Sequence, residues 1–295
     1  MTSESASLDQ FGEPRVHFVC VNYHTDEDAL ALARDLAAIR PQDAIAVDIV
    51  MNDSPPDSVD PNLRKLADAR PNINLLFSEH NLGYFGGANW AIERRQSSGH
   101  VARWTIVSNA DIRIADEQLF DKLDAICDLE HSFGVVAPDV TSLEDGRTVH
   151  RNPYMVKRPA PWQLRLLRWL FSSYGRYVLY ERSTELRRLV RRFWSSSSTP
   201  VRRPIYAPFG AFVALSDAFF HRGGTLRGSP FLFGEELFLA EISRRLGLAI
   251  IFEPQLTVTH NTHGAIRKVG SPQVLAWTRA ALDEIVHEFF DDRHS

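Results

Sequence analysis

Cysteine is nearly absent from this chain of 295 residues, and long apolar runs are absent altogether. Its two cysteines, Cys20 inside a short apolar stretch and Cys127 in a predicted helix, offer no disulfide framework and no paired metal-ligand spacing. Both are expected as reduced residues in or near a core. No segment approaches the roughly 18 consecutive apolar residues of a membrane-spanning helix, and residues 1–10 lack the basic-then-apolar order of a signal peptide. The expected location is therefore the cytoplasm. Internal repeats are missing, and low complexity is confined to the serine run at 195–198. Net charge is small as well, at −4, but it is unevenly spread, because residues 151–203 hold thirteen Arg or Lys against two Glu.

What is present is the composition of a globular protein, 44% hydrophobic and 24% charged, with length enough for one large α/β domain carrying an insertion. Apolar runs of strand length occur at 16–23, 44–50, 73–77, 104–107 and 133–137, and helical spacing or caps fall between them at 25–39, 61–70, 87–96 and 116–129. Such alternation predicts a mostly parallel central sheet with helices on both faces. Ligands of these sheets bind at the carboxyl ends of the strands. Asn22, Asn52-Asp53, Asn81-Leu82-Gly83 and Asn109-Ala110-Asp111 each fall just after a predicted strand, so they would gather along one edge. After the basic segment, strand character returns at 205–215, a helix is expected at 237–246, short strands at 248–252 and 256–259, and an amphipathic helix at 274–289.

Four motifs carry candidate chemistry. Asn81-Leu82-Gly83-Tyr84-Phe85-Gly86-Gly87-Ala88-Asn89 joins a strand to a helix, where glycines let a backbone approach a ligand and a helix start favours an anion. It lacks the G-x-G-x-x-G spacing of a dinucleotide fingerprint, and an ordinary glycine-rich turn reads the same way. Asp111 suits a hard divalent ion completed by substrate phosphates, or simply a turn. Glu235 and Glu236 open a helix behind an apolar lead-in, Phe231-Leu232-Phe233, which would desolvate a general base; complementing the helix dipole is the plainer role. Glu241, one turn on, reads as a surface or hydrogen-bonding residue. His260 closes a strand, with His263 following, as a structural histidine or as a metal or phosphate partner. Within the basic segment, Trp162, Leu166, Trp169 and Leu170 interleave with Arg165 and Arg168, as in a basic amphipathic helix. Peripheral membrane contact through 157–194, at the inner face of the plasma membrane, and an exposed subdomain are the two readings. No nucleic-acid motif is present.

These residues resemble those of family 2 glycosyltransferases, inverting enzymes of the GT-A type, and especially bacterial rhamnosyltransferase-like members that build surface polysaccharide. Val21-Asn22-Tyr23 is similar to the family's opening strand end, Asn81 to Asn89 to its N-L-G-x-x-G-G-x-N loop, and Asn109-Ala110-Asp111 to its D-x-D-type metal motif. Phe233-Gly234-Glu235-Glu236 is similar to its F-x-E-D element, and His260 to the histidine that closes the domain. The resemblance implies a GT-A nucleotide-diphospho-sugar transferase fold over 14–270. A nucleotide-binding half would span 14–150, the basic helical insertion 151–203, an acceptor and base half 204–270, and a helical tail 271–295. It implies that Asn22, Asp53, Asn81, Gly83, Gly86, Gly87, Asn89 and Asn109 line the donor pocket. Asp111 with His260 would hold Mn²⁺ or Mg²⁺, and Glu236, beside Glu235, would be the catalytic base. The implied reaction moves a sugar from a UDP- or dTDP-linked donor to a hydroxyl of a glycan or lipid-linked acceptor. Departures from the pattern are Met51-Asn52-Asp53-Ser54 after the second strand, Asn109 in place of an acid, and Glu236 in place of Asp. A nucleotidyltransferase would use similar parts but also needs a basic glycine-rich first loop, which 21–25 lacks. A non-catalytic nucleotide-sugar-binding module is the remaining alternative.

Overall fold

The computed structural model describes residues 14–39, 44–99, 101–127, 133–144, 146–180, 182–183, 200–261 and 272–290. The expectations for 185–194, for the serine run and for His263 lie outside them. Strands β1 (Val16–Asn22) and β2 (Ile45–Asn52) are buried along their whole length, as predominantly apolar runs require of strands covered on both faces. Helix α1 (Asp26–Ala38) opens with Asp26, Glu27 and Asp28, which complement its dipole. Helix α2 (Pro61–Asp68) is capped by Asp60, whose carboxylate accepts from the N–H groups of Asn62 and Leu63. Then come β3 (Ile73–Ser78), α3 (Tyr84–Gln96), β4 (Trp104–Asn109), β5 (Ile112–Arg113), α4 (Leu119–Cys127), β6 (Phe133–Glu144) and β7 (Arg147–His150). The basic segment gives α5 (Pro161–Phe171) and a helical stretch over 174–180, α6. The chain continues through β8 (Arg203–Ile205), β9 (Phe212–Ser216), α7 (Asp217–His221), α8 (Glu235–Arg245), β10 (Ala249–His260) and α9 (Pro272–Phe289).

All strands join one sheet in the order β3-β2-β1-β4-β9-β6-β10-β5, with β7 beside β6 and β8 beside β10. On that path only β9 and β5 run against the common direction. Alternate residues of β1 face opposite cores: Phe18 and Cys20 pack with Leu32 and Leu36 of α1, while Val19 and Val21 pack with Phe85 and Ala88 of α3. Leu282, Ile285 and Val286 of α9 join the second core.

Three local expectations change. Helix α3 starts at Tyr84, so Gly86 and Gly87 lie in its first turn rather than in a loop before it. The two short strands at 248–252 and 256–259 are one strand, β10, with an irregularity between Glu253 and Thr257 where Pro254 interrupts the pattern. Strand β6 runs on to Glu144 and returns as β7. Among the described residues no helix is long and apolar enough to cross a membrane.

A buried polar staple ties this layered core together. Asp48 of β2 lies 2.7 Å from His17 Nε2 of β1, accepts from Asn74 Nδ2 of β3 at 3.0 Å, and pairs with Arg95 Nη2 of α3 at 3.3 Å. Burial opposes ionisation of Asp48, yet the His17 and Asn74 hydrogen bonds and the nearby positive charge hold its carboxyl well below the usual carboxylate range. We therefore expect Asp48→Asn, which strands the Arg95 charge inside the protein, to lower stability by about 3–5 kcal/mol in urea unfolding at neutral pH. The native value is depressed, so the carboxylate's contribution is complete above the ordinary value of 3.8 and fades as pH falls through the native one. The gap between wild type and variant should shrink on acidification; a gap independent of pH would contradict this account.

Candidate active site

The carboxyl ends of β1, β2, β3 and β4 meet at one edge, and asparagines order that edge. Asn22, fully buried, accepts from Thr25 N and Thr25 Oγ1 at 3.1 and 2.8 Å and donates to Asp26 Oδ1 at 2.7 Å. Its side chain shapes the β1–α1 turn. Asn52, also buried, donates to Asn81 Oδ1 at 3.0 Å and to the Gly83 carbonyl at 3.3 Å, and accepts from Leu82 N at 2.9 Å. Asn81 Oδ1 in turn accepts from Gly83 N at 2.9 Å. Asn52 is thus the hub that folds the 81–83 loop, although the sequence singled out its exposed neighbour Asp53, which sits at φ 57°. Asn89 is buried on α3 and accepts from Thr225 Oγ1 at 3.1 Å, so it braces the helix against the 225 loop.

The glycines of this motif serve different ends. Gly83 has φ 74° and ψ −176°, and a Cβ there would lie 2.1 Å from the Phe231 carbonyl oxygen. This close approach seats the 81–83 loop against the loop that leads into α8. Gly87 lets α3 pack on the sheet, since its Cβ would stand 3.3 Å from Val21 Cγ1. Gly86 meets only Leu82 Cβ, at an ordinary 3.7 Å.

Asp111 and His260 come together because β5 pairs with β10, placing Ile112 opposite His260. Asn261 N donates to the Asp111 carbonyl at 2.8 Å, and His260 Nε2 lies 3.1 Å from Asp111 Oδ2. Two buried atoms, Asp111 Oδ1 and His260 Nδ1, have no hydrogen-bond partner among the described residues. Unpaired buried polar atoms are costly, and here two contacting side chains leave one carboxylate oxygen and one imidazole nitrogen open. That is the donor chemistry a divalent ion takes.

The carboxylates of α8 approach the same region. Phe233 and Gly234 both take positive φ, 68° and 82°, before the helix starts. Glu235 is buried and accepts from Phe233 N at 3.1 Å. Burial, with the Glu236 charge beside it, pushes its carboxyl up to about 8. Glu236 is less enclosed, and burial raises its carboxyl too; its Oε1 lies 3.4 Å from Gly210 N.

Residues 209–211 hold these groups together. The Gly210 carbonyl accepts from Tyr84 OH at 2.9 Å, the Ala211 carbonyl accepts from Asn109 N at 2.9 Å, and the Phe209 ring lies edge-on to His260 with centroids 5.6 Å apart. A Cβ at Gly210 would stand 3.2 Å from Glu236 Oε1, a tight contact that would press on that oxygen. Burial pushes the Tyr84 phenol well above 10.0, reinforced by the charges of Glu235, Asp111 and Glu236, which all act on this one hydroxyl. Asn152 fixes the segment from behind, accepting from Phe209 N at 2.7 Å and donating to the Pro138 carbonyl at 2.8 Å. The sequence reading passed over both Tyr84 and Phe209-Gly210-Ala211. A glycine directly ahead of a strand was the available signal. Glu241 is a hydrogen-bonding residue and no surface one: fully buried, it accepts from Arg158 Nε, Tyr206 OH and Arg244 Nε at 2.7, 2.7 and 2.8 Å.

The glycine geometry yields a paired expectation. Gly83→Ala should lower stability by about 1–3 kcal/mol, because that backbone region is nearly closed to other residues and the Phe231 carbonyl is in the way. Gly86→Ala should stay within about 0.5 kcal/mol of wild type. Thermal unfolding of both variants checks this, and equal losses would refute it.

No curated protein matches the chain in sequence. Among solved structures it superposes on GalNAc-T7 with UDP, GalNAc and Mn²⁺ at a TM-score of 0.63 and 12% identity, over 95% of this chain and 49% of that one. It also superposes on the mannosyltransferase PcManGT from Pyrobaculum calidifontis in complex with GDP-Man and Mn²⁺, at 0.53 and 15%, over 94% and 64%. A third match is S. aureus TarS, at 0.53 and 12%, over 84% and 37%. The chain thus spans about half the length of the first of these proteins, and identities this low speak for the GT-A fold. The model of glycosyl transferase family 2 matches residues 23–184, more than half of the sequence, including the 81–89 loop and Asp111. By that match the chain belongs to glycosyl transferase family 2.

Proposed function

We propose that this glycosyltransferase moves a sugar from a nucleotide-diphosphate donor, a UDP- or dTDP-sugar, to a hydroxyl of a glycan or lipid-linked acceptor, with inversion and with Glu236 as general base. The observation that carries the reading is the convergence of Glu236, Tyr84 and the Asp111–His260 pair on residues 209–211. Residues 14–150 would supply the nucleotide half and 204–270 the acceptor and base half, and the product would enter bacterial surface polysaccharide made from the cytoplasmic side.

Asp111 and His260 fit a divalent ion, as their two open buried atoms indicate. Among the described residues no group of three or more His, Cys, Asp or Glu is placed to hold a metal, so an ion here would rest on these two side chains and on diphosphate oxygens. When bound, Mn²⁺ or Mg²⁺ would neutralise negative charge on the departing diphosphate. Mn²⁺ accompanies the nucleotide ligand in two of the similar structures.

The chain's own residues do the rest. The 81–83 loop, folded by Asn52, shapes the donor pocket ahead of α3, whose start carries no side-chain cap and whose first-turn N–H groups favour phosphate. Glu236 takes the proton of the acceptor hydroxyl as its oxygen attacks the anomeric carbon from the side opposite the diphosphate. The bond to diphosphate breaks in the same displacement, which inverts the configuration. Gly210 N–H orients the Glu236 carboxylate, and Tyr84 fixes Gly210 in turn.

Glu236→Gln should lower kcat by about 10²–10⁴-fold with little change in donor affinity. Burial raises the Glu236 carboxyl and the base must be ionised, so wild-type kcat/KM should fall as pH drops, with an acid limb above the ordinary value of 4.5. Undiminished turnover in the variant removes Glu236 from this role. Asp111→Asn should weaken Mn²⁺-dependent donor binding at least about tenfold in calorimetry; metal-independent binding of equal strength in both proteins would rule out the Asp111 site.

A further inference from the structure

Helix α5 carries apolar side chains on both of its sides. On one side Leu164 and Phe171 are buried, and the helix packs on α9, with Arg168 Nε 2.6 Å from Asp283 Oδ1. On the opposite side Trp162, Leu166 and Trp169 recur at helical spacing in a single stripe and are 62%, 46% and 55% exposed. Scattered surface apolar residues need no explanation, but two indoles and a leucine aligned on one helix do. Leu179 of α6 is also exposed. Cationic side chains accompany the stripe. Arg165 lies within it and is exposed, the Arg176 guanidinium sits 4.3 Å from the Trp169 ring centroid, and exposed Lys157 precedes the helix. Residues 154–183 hold six Lys or Arg against one acidic residue, Glu181, on a chain whose net charge is −4.

We propose that this stripe is a docking face for a bilayer surface rich in anionic headgroups, with α5 lying along the interface. Indole rings settle at headgroup depth, where an apolar body and a polar N–H are both satisfied. Arg and Lys beside them extend their stems along the apolar layer and meet phosphate. The acidic remainder of the protein is repelled by the same surface, so charge orients the molecule with α5 towards it. Docking of this kind deepens the proposed function only by bringing the enzyme to the layer where a lipid-linked hydroxyl acceptor resides.

The test is sedimentation of the full chain with vesicles of phosphatidylglycerol and phosphatidylcholine, or of phosphatidylcholine alone, without donor or acceptor. Wild type should bind the anionic vesicles at least about tenfold more tightly than the neutral ones, and raised salt should weaken it. Trp162→Ser/Leu166→Ser/Trp169→Ser, with unchanged circular dichroism and unchanged donor hydrolysis, should lose at least about tenfold in anionic binding. If that variant misfolds, Lys157→Glu/Arg165→Glu should show the same loss. Failure of wild type to bind anionic vesicles, or equal binding by the variants, overturns the proposal. So does a lipid-free dimer, seen by analytical ultracentrifugation, that the triple variant cannot form, since a second copy would then own the face. Vesicle binding is read apart from catalysis, so it can fail while the transferase reading stands, and the reverse.

Discussion

The backbone of Gly210 is held on both sides, and the arrangement of the site depends on that. Its carbonyl accepts from Tyr84 at the start of α3 and its N–H faces Glu236 at the start of α8, so the backbone of one residue joins helices from distant parts of the chain. A methyl group there would press on the Glu236 carboxylate at 3.2 Å. The adjacent Ala211 carbonyl holds Asn109, two residues before Asp111, and the Phe209 ring braces His260. The carboxylate of α8 and the Asp111–His260 pair are therefore both tied to one three-residue segment, 209–211.

A second close approach sets the other wall. The Gly83 carbon face meets the Phe231 carbonyl, while Asn52 spends its whole amide on residues 81–83. Loop and helix start are thereby packed on each other and cannot shift independently. Further along α8, Glu241 gathers Arg158, Tyr206 and Arg244, and Arg158 also reaches the Phe289 carbonyl at 3.4 Å. The helix that opens with Glu236 is in this way clamped to the basic segment and to α9. The raised carboxyls of Glu235 and Glu236 follow from that enclosure, since burial is the first cause of each shift.

The basic segment divides between these tasks. Leu164, Phe171 and Tyr177 join the core that contains α8 and α9, whereas Trp162, Leu166 and Trp169 face outward. The segment expected as a basic helical insertion is packed on one side and open on the other.

Local order was legible in the sequence because local physics writes it. Predominantly apolar runs marked β1 to β4, the acidic first turn marked α1, Pro61 behind Asp60 marked α2, and the strand ends named Asn22, Asn81, Asn109 and Asp111. Residue types at the four motifs were enough to suggest metal, phosphate and base chemistry. Pairings across long separations were not legible. Nothing in spacing tells that β9 enters between β4 and β6, that β5 brings Asp111 to His260, or that Asn52 rather than Asp53 turns inward. Those follow from which faces can be buried together and which backbone groups must find partners once water is excluded, and only the folded chain poses that question.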